Sequence, residues 1–167
     1  MRTELTLALD VPRWTWRFYL RHLPLIAGLS LVASVQRLVA VNWGIPGPLA
    51  LVSEVVVMAT RLLLLAVIWR LAMRDTPWRW ASLSTFAHHH WRSLVIQGVL
   101  VSVAFLIFDV FAESVVGGLL SDDARPTYLA VLLFVKNPTM IALTFVWWVG
   151  LARQMLRNTE QATPVRV

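Results

Sequence analysis

Cysteine is absent from the 167-residue sequence, and lysine occurs once, at Lys136. The absence of Cys excludes disulfides, thiol nucleophiles, iron–sulfur ligation and Cys-based zinc sites. Charge is also scarce: 14% of the residues are charged and 58% are hydrophobic, whereas soluble domains have about 25% charged and about 45–50% apolar residues. With a mean hydropathy of +0.68, the chain is predicted to be an integral membrane protein. The net charge of +6 is therefore not taken to indicate a nucleic-acid partner.

Catalytic and cofactor motifs are missing too. The sequence contains no G-x-S-x-G, no P-loop and no G-x-G-x-x-G, and we expect neither an enzyme nor a bound cofactor. The run His88–His90 is the one candidate metal motif, with His22 as a further ligand. Consecutive side chains on a helix point about 100° apart, whereas a metal pair on one helix needs i, i+4 spacing. We expect a pH-sensitive histidine cluster there and no metal site.

Four apolar segments are long enough to cross the roughly 30 Å hydrocarbon core of a bilayer as helices. They span approximately residues 23–41, 49–73, 93–119 and 128–151. The first is the weakest, because Gln36 and Arg37 interrupt it. A cleaved signal peptide is a poorer interpretation of this segment, because the residues before it form a long stretch of mixed charge. The prediction is an all-α, polytopic membrane protein in a single transmembrane domain, 1–167.

The distribution of arginine predicts the orientation of these spans. Eleven arginines lie in the N-terminal segment, in the connection between the second and third spans, and in the tail 152–167. The other two loops contain only Arg125, beside Asp122 and Asp123. Basic residues favour the cytoplasmic side, so we expect a multi-pass protein of the bacterial cytoplasmic membrane with both termini in the cytoplasm.

Two segments rich in Trp and Arg precede the first and third spans, at residues 11–22 and 76–92. Each starts close to a proline that suits the first turn of a helix. Their composition predicts amphipathic helices lying in the headgroup region. The expected anchors are Trp14, Trp16, Trp78, Trp80 and Trp91. Because the order of interfacial helix, span, loop and span occurs twice, a parallel two-span duplication is an alternative to chance similarity.

Charged and polar residues lie within the predicted spans, where each ion costs roughly 2.5–3.5 kcal/mol near the centre. Arg61 is about 18 Å from the outer end of its helix and needs a partner. Three candidates are Glu54 on the same helix, Asp109 on the third span and Asn137 on the fourth. The whole cluster consists of Arg37, Glu54, Arg61, Asp109, Glu113, Lys136 and Asn137. Three interpretations remain: pairs that fix helix packing, contacts with another subunit, or a binding or permeation site.

Pro138 is expected to kink the fourth span. Proline has no backbone N–H, so the carbonyl of Phe134 loses its helical donor. The kink is either absorbed by neighbouring helices or exposes carbonyl groups to a binding site.

Two functions are consistent with these patterns. The first is a non-catalytic accessory or assembly subunit of a larger membrane complex, since the predicted loops leave no room for a soluble active site. The second is a small oligomeric transporter or channel whose pathway passes the charged cluster. Partners are expected to be lipids together with other membrane subunits or further copies of the chain. A lipid-modifying enzyme is the weakest alternative, because no catalytic constellation supports it.

Overall fold

The computed structural model describes residues 2–44, 46–76 and 80–157, without the side chains of residues 2, 3, 41, 42, 48, 80–82 and 109. All regular secondary structure in these ranges is helical. The six helices are α1 (Arg2–Arg21), α2 (Leu23–Trp43), α3 (Gly47–Ala72), α4 (Trp80–His89), α5 (Trp91–Leu119) and α6 (Ala124–Arg157). Helix α5 is π-helical over Leu106–Val116, and α6 is π-helical over Asn137–Ile141.

The predicted all-α architecture with four long apolar helices is confirmed. Stretches long and apolar enough to cross a membrane are Leu23–Ala40, Leu49–Ala72, Trp91–Leu119 and Ala124–Arg157. The last extends beyond the predicted 128–151 at both ends, so α6 continues into the expected tail. At 1.5 Å per residue its 34 residues measure about 51 Å, more than a hydrocarbon core requires.

Helix α6 is the central element, and α1 and α2 pack along it in succession. Leu7 and Trp14 of α1 contact Gln154 and Gly150 of α6. Further along, Ser34 of α2 contacts Phe134 of α6. Residue numbers rise along α1 and α2 as they fall along α6, so both helices run antiparallel to it.

The hydrophobic core lies where α1, α2, α3 and α6 meet. Its buried side chains are Tyr19, Ile26, Leu64, Ile68, Ala72, Ala142, Val146 and Val149. Helix α3 supplies three of these at helical spacing, which places one apolar stripe against α6. The opposite side of α3, including Leu51 and Leu62, is exposed.

Helix α1 differs from the predicted interfacial segment 11–22. It begins at Arg2, and Pro12 lies inside the helix rather than in its first turn. The physical reason is tertiary packing: Ala8 and Val11 are 0% and 3% exposed, and their burial holds the chain helical through the proline. Of segment 76–92, residues 77–79 lie outside the described part of the chain. In the rest of the segment α4 covers Trp80–His89 and a new helix begins at Trp91, so the helix is interrupted at His90.

The junctions α1–α2 and α4–α5 have the same local structure. Each is a single histidine outside helical geometry, His22 with φ −112° and ψ 19° and His90 with φ −119° and ψ 29°. A phenylalanine one turn earlier packs on each imidazole, with ring centroids 4.4 Å apart for Phe18 and 4.9 Å apart for Phe86. The two-span duplication stays a prediction. A duplication would produce two junctions with the same local structure, as found here.

Candidate functional site

The first contact within the predicted cluster joins α2 to α3. Arg37 Nη1 lies 3.9 Å from Glu54 Oε1, and Gln36 Nε2 donates a hydrogen bond of 3.2 Å to the same oxygen. The Arg37 and Glu54 side chains are 43% and 57% exposed. This pair therefore lies on the surface of the helix bundle.

The second contact joins α5 to α6. Lys136 Nζ donates a hydrogen bond of 3.1 Å to Glu113 Oε2. The Lys136 side chain is 13% exposed and that of Glu113 is 39% exposed. The cation is therefore largely enclosed, while its carboxylate partner lies nearer the surface.

The third contact joins α3 to α6 and involves Arg61. Arg61 Nη2 donates to Asn137 Oδ1 at 3.3 Å, and Asn137 Nδ2 donates to the carbonyl of Leu133 at 3.1 Å. Of the three predicted partners, Asn137 is the one that the structure shows. Glu54 contacts Arg37 instead, and the side chain of Asp109 lies outside the described part of the chain.

Beside this contact is a small cavity of about 10 Å³ between α2, α3 and α6. Ser30 and Ala33 line it from α2, Arg61 and Leu64 from α3, and Asn137 from α6. Two polar atoms here are buried without a hydrogen-bond partner, Ser30 Oγ and Arg61 Nε. Buried polar atoms normally have partners, so these two atoms mark the cavity as unusual.

Pro138 lies in the π-helical turn of α6, and neighbouring side chains satisfy the carbonyls around it. The Ser34 hydroxyl donates to the Phe134 carbonyl at 2.7 Å, which replaces the missing proline donor. The Tyr19 hydroxyl donates to the Pro138 carbonyl at 2.7 Å. Burial raises the pKa of Tyr19, so this hydroxyl keeps its proton. Of the two predicted outcomes for the kink, the described contacts favour its absorption by neighbours.

A polar contact that sequence reasoning missed links α5, α6 and α1. Gln97 Nε2 donates to Gln154 Oε1 at 3.1 Å, and Gln154 Nε2 donates to the Leu7 carbonyl at 2.6 Å. Gln97 is 1% exposed. The available signal was an uncharged amide inside the apolar run of the third span, which requires a hydrogen-bond partner wherever it is buried.

The histidines take part in local contacts. His90 Nδ1 lies 2.8 Å from Glu4 Oε1 and ties the start of α1 to the α4–α5 junction. The Nδ1 atoms of His22 and His89 lie 3.0 Å and 2.9 Å from the carbonyls of Phe18 and Thr85. In the part of the chain that the structure describes, no three His, Asp or Glu residues are grouped as metal ligands.

The predicted tryptophan anchors have different environments. Trp16 and Trp91 are 55% and 56% exposed. Trp14 instead packs against Gly150, with the Arg153 guanidinium carbon 5.3 Å from its ring centroid. Trp78 and the side chain of Trp80 lie outside the described residues. Anchoring at the membrane interface stays a prediction for all five.

A larger cavity of about 240 Å³ lies between α1, α5 and α6. Pro12, Thr15, Val101 and Trp147 are among its lining residues, and no side chain of the charged cluster that the structure describes is among them.

Comparison with known protein families, curated proteins and solved structures finds no match to this chain. Its function is therefore inferred from its own geometry.

Proposed function

We propose that this chain is a non-catalytic accessory or assembly subunit of a multi-protein complex in the bacterial cytoplasmic membrane. In this proposal the four long apolar helices cross the bilayer, α1 and α4 lie at the cytoplasmic side, and both termini are cytoplasmic. The arginine distribution supports this orientation. The observation that carries the proposal is the exposure of α5.

Helix α5 contributes little to the core of its own chain. In the 18-residue apolar window of Trp91–Leu119, 6% of the residues are buried, compared with 22%, 17% and 33% in the corresponding windows of α2, α3 and α6. Its side chains Ile107, Val110, Phe111 and Val115 are 45–58% exposed. A span that packs so little against its own chain is available to pack against another.

The backbone of α5 also supports a docking role. Its π-helical segment Leu106–Val116 is 11 residues long, whereas π-helices are rare and usually limited to single turns at functional sites. This segment carries the Glu113 carboxylate, 39% exposed, amid exposed apolar side chains. A partner helix with a hydrogen-bond donor at that depth would cover both the apolar surface and this carboxylate.

Transport is not proposed, because the described charged residues are largely satisfied within the chain. Arg37 is paired with Glu54, and Lys136 with Glu113. The cavity beside Arg61 measures about 10 Å³, which is too small for a hydrated solute.

The proposal predicts that α5 contacts a different protein in the native membrane. A photo-crosslinking amino acid is placed at Ile107 or Phe111, which are 51% and 58% exposed. Both positions are expected to give an adduct with the same other protein, identified by mass spectrometry. The amount of adduct should be comparable to the amount of chain that is not crosslinked.

Matched control positions are Met58 and Leu62 on α3, which are 56% and 60% exposed and are expected to crosslink lipid. Equal protein adducts from both helices would contradict docking at α5. An adduct of twice the protomer mass would indicate self-association and would contradict an accessory role.

A further inference from the structure

Helices α5 and α6 are joined at two levels, and a cavity lies between these levels. Gln97 bonds Gln154 at 3.1 Å, and Lys136 bonds Glu113 at 3.1 Å. Residues between the two contacts line the cavity of about 240 Å³, and α1 forms its third wall. The cavity therefore occupies a gap whose two ends are fixed by side-chain contacts.

The walls of this cavity are apolar apart from two threonines. The lining includes Val101 and Ala104 of α5 and Met140 of α6. The Thr144 hydroxyl donates to the Met140 carbonyl of its own helix, which leaves the hydroxyl of Thr15. One hydroxyl does not give a water molecule the two to four partners that it needs, and apolar cavities of about 150 Å³ stay dry and bind apolar molecules. The cavity therefore suits an apolar guest.

In the orientation proposed above, the cavity lies at the depth of the acyl chains in the cytoplasmic leaflet. Counted from the cytoplasmic end of the predicted fourth span at 1.5 Å per residue, Trp147 lies about 6 Å deep and Met140 about 17 Å deep. Counted from the cytoplasmic end of the third span, Val101 and Ala104 lie about 12 Å and about 17 Å deep. One leaflet is half of a hydrocarbon core of roughly 30 Å, so both helices place the cavity among its acyl chains.

Two exposed arginines of α1 adjoin the residues that line this cavity. Arg13 follows Pro12 and Arg17 follows Trp16, and both Pro12 and Trp16 are lining residues. The two arginines are one turn apart on the same face, and helical side chains lean toward the N-terminus, here the cytoplasmic side. Among the described residues neither guanidinium has a carboxylate partner. Both are therefore available to an anionic group at the cytoplasmic side of the cavity.

We propose that the cavity between α1, α5 and α6 binds one acyl chain of an anionic phospholipid of the cytoplasmic leaflet, and that Arg13 and Arg17 bind its phosphate group. The chain matches the apolar walls, and guanidinium groups form charge-assisted hydrogen bonds with phosphate oxygens. Basic residues at the cytoplasmic side of membrane helices recognise anionic head groups by the same chemistry. The site rests on the proposed orientation and not on the partner protein.

The test uses the purified chain in phosphatidylcholine nanodiscs that contain a small fraction of phosphatidylglycerol with a diazirine on its acyl chain. After irradiation, mass spectrometry is expected to locate the lipid adducts on the walls of the cavity, at residues such as Val101, Ala104 and Met140. Unlabelled phosphatidylglycerol should suppress these adducts. Each arginine near an anionic lipid contributes a factor of about five, so added phosphatidylcholine should compete at least about 10-fold more weakly.

A first pair of variants tests the cavity. Ala104→Trp fills it and keeps both arginines, and it is expected to abolish the adducts on its walls. Val103→Trp is the matched control, because Val103 is 48% exposed on the same helix and does not line the cavity. If Ala104→Trp does not fold, Val101→Phe takes its place.

A second pair of variants tests the charges. Arg13→Gln/Arg17→Gln changes only exposed side chains and is expected to lower the preference for phosphatidylglycerol by about five-fold for each arginine removed. Arg70→Gln/Arg74→Gln is the matched control, since these arginines are also exposed and four residues apart, at the end of α3. This control should leave the preference unchanged.

Four results would overturn the proposal: adducts without enrichment on the cavity walls, equal competition by phosphatidylcholine, unchanged adducts in the cavity-filling variant, and an equal loss of preference in both double-arginine variants. The preparation contains no other protein. Its outcome is therefore separate from that of the crosslinking experiment on α5.

Discussion

Gly150→Ala is expected to lower the free energy of unfolding in detergent by about 1–3 kcal/mol, as overpacking does in a filled core. A Cβ atom at this position would lie 2.6 Å from Cε3 and Cζ3 of Trp14 and 3.4 Å from Cγ1 of Val11. Carbon atoms do not approach to 2.6 Å without a clash. The substitution therefore forces α1 away from α6.

Trp14 is held in place and cannot simply rotate aside. Its ring packs on Phe18 with the centroids 4.9 Å apart, and the Arg153 guanidinium lies over it at 5.3 Å. Relief of the clash would therefore disturb both contacts. Denaturant titration, followed by tryptophan fluorescence, measures the loss.

Gly98→Ala is the matched control within α5. A Cβ atom there meets nothing within 4 Å, so alanine should be neutral or stabilise the helix by about 0.5–1 kcal/mol. Equal losses for the two substitutions would mean that α1 does not pack against α6 at Gly150.

Ser34→Ala is expected to cost about 1–3 kcal/mol of stability, because it leaves a partly buried carbonyl without its donor. The Ser34 hydroxyl donates to the Phe134 carbonyl at 2.7 Å. Pro138 cannot provide the N–H that would otherwise do so. Thr60→Ala is the control: Thr60 Oγ1 bonds the Val56 carbonyl of its own helix, and no proline removes the backbone donor there.

The double variant Ser34→Ala/Pro138→Ala sharpens this prediction. Alanine at position 138 restores a backbone N–H, so the cost of Ser34→Ala should largely disappear in that background. The expected coupling is about 0.5–3 kcal/mol in a double-mutant cycle of unfolding free energies. Additive effects would show that Ser34 and Pro138 do not act on the same carbonyl.

Hydropathy alone predicted the four apolar helices, because each must present about 20 apolar residues to lipid. It did not predict the length of α1, since Pro12 resembles a helix start and only the burial of Ala8 and Val11 in the folded chain shows otherwise. Local sequence contains the proline signal but not the packing that overrides it.

The polar contacts were predictable in part. Charge and depth identified Arg61 as needing a partner, and Asn137 was among the three candidates. The hydrogen-bonding role of Ser34 was not predicted, because it depends on which carbonyl α6 brings beside this side chain. The matching Phe18–His22 and Phe86–His90 spacings were visible in the sequence, but their shared geometry emerges only in three dimensions.

Native mass spectrometry after gentle extraction from the source membrane tests the accessory-subunit proposal most directly. The predicted result is a complex of this chain in fixed stoichiometry with at least one different protein. Replacement of both Ile107 and Phe111 by Asp is expected to abolish that complex. A reproducibly lone monomer or homo-oligomer would contradict the account.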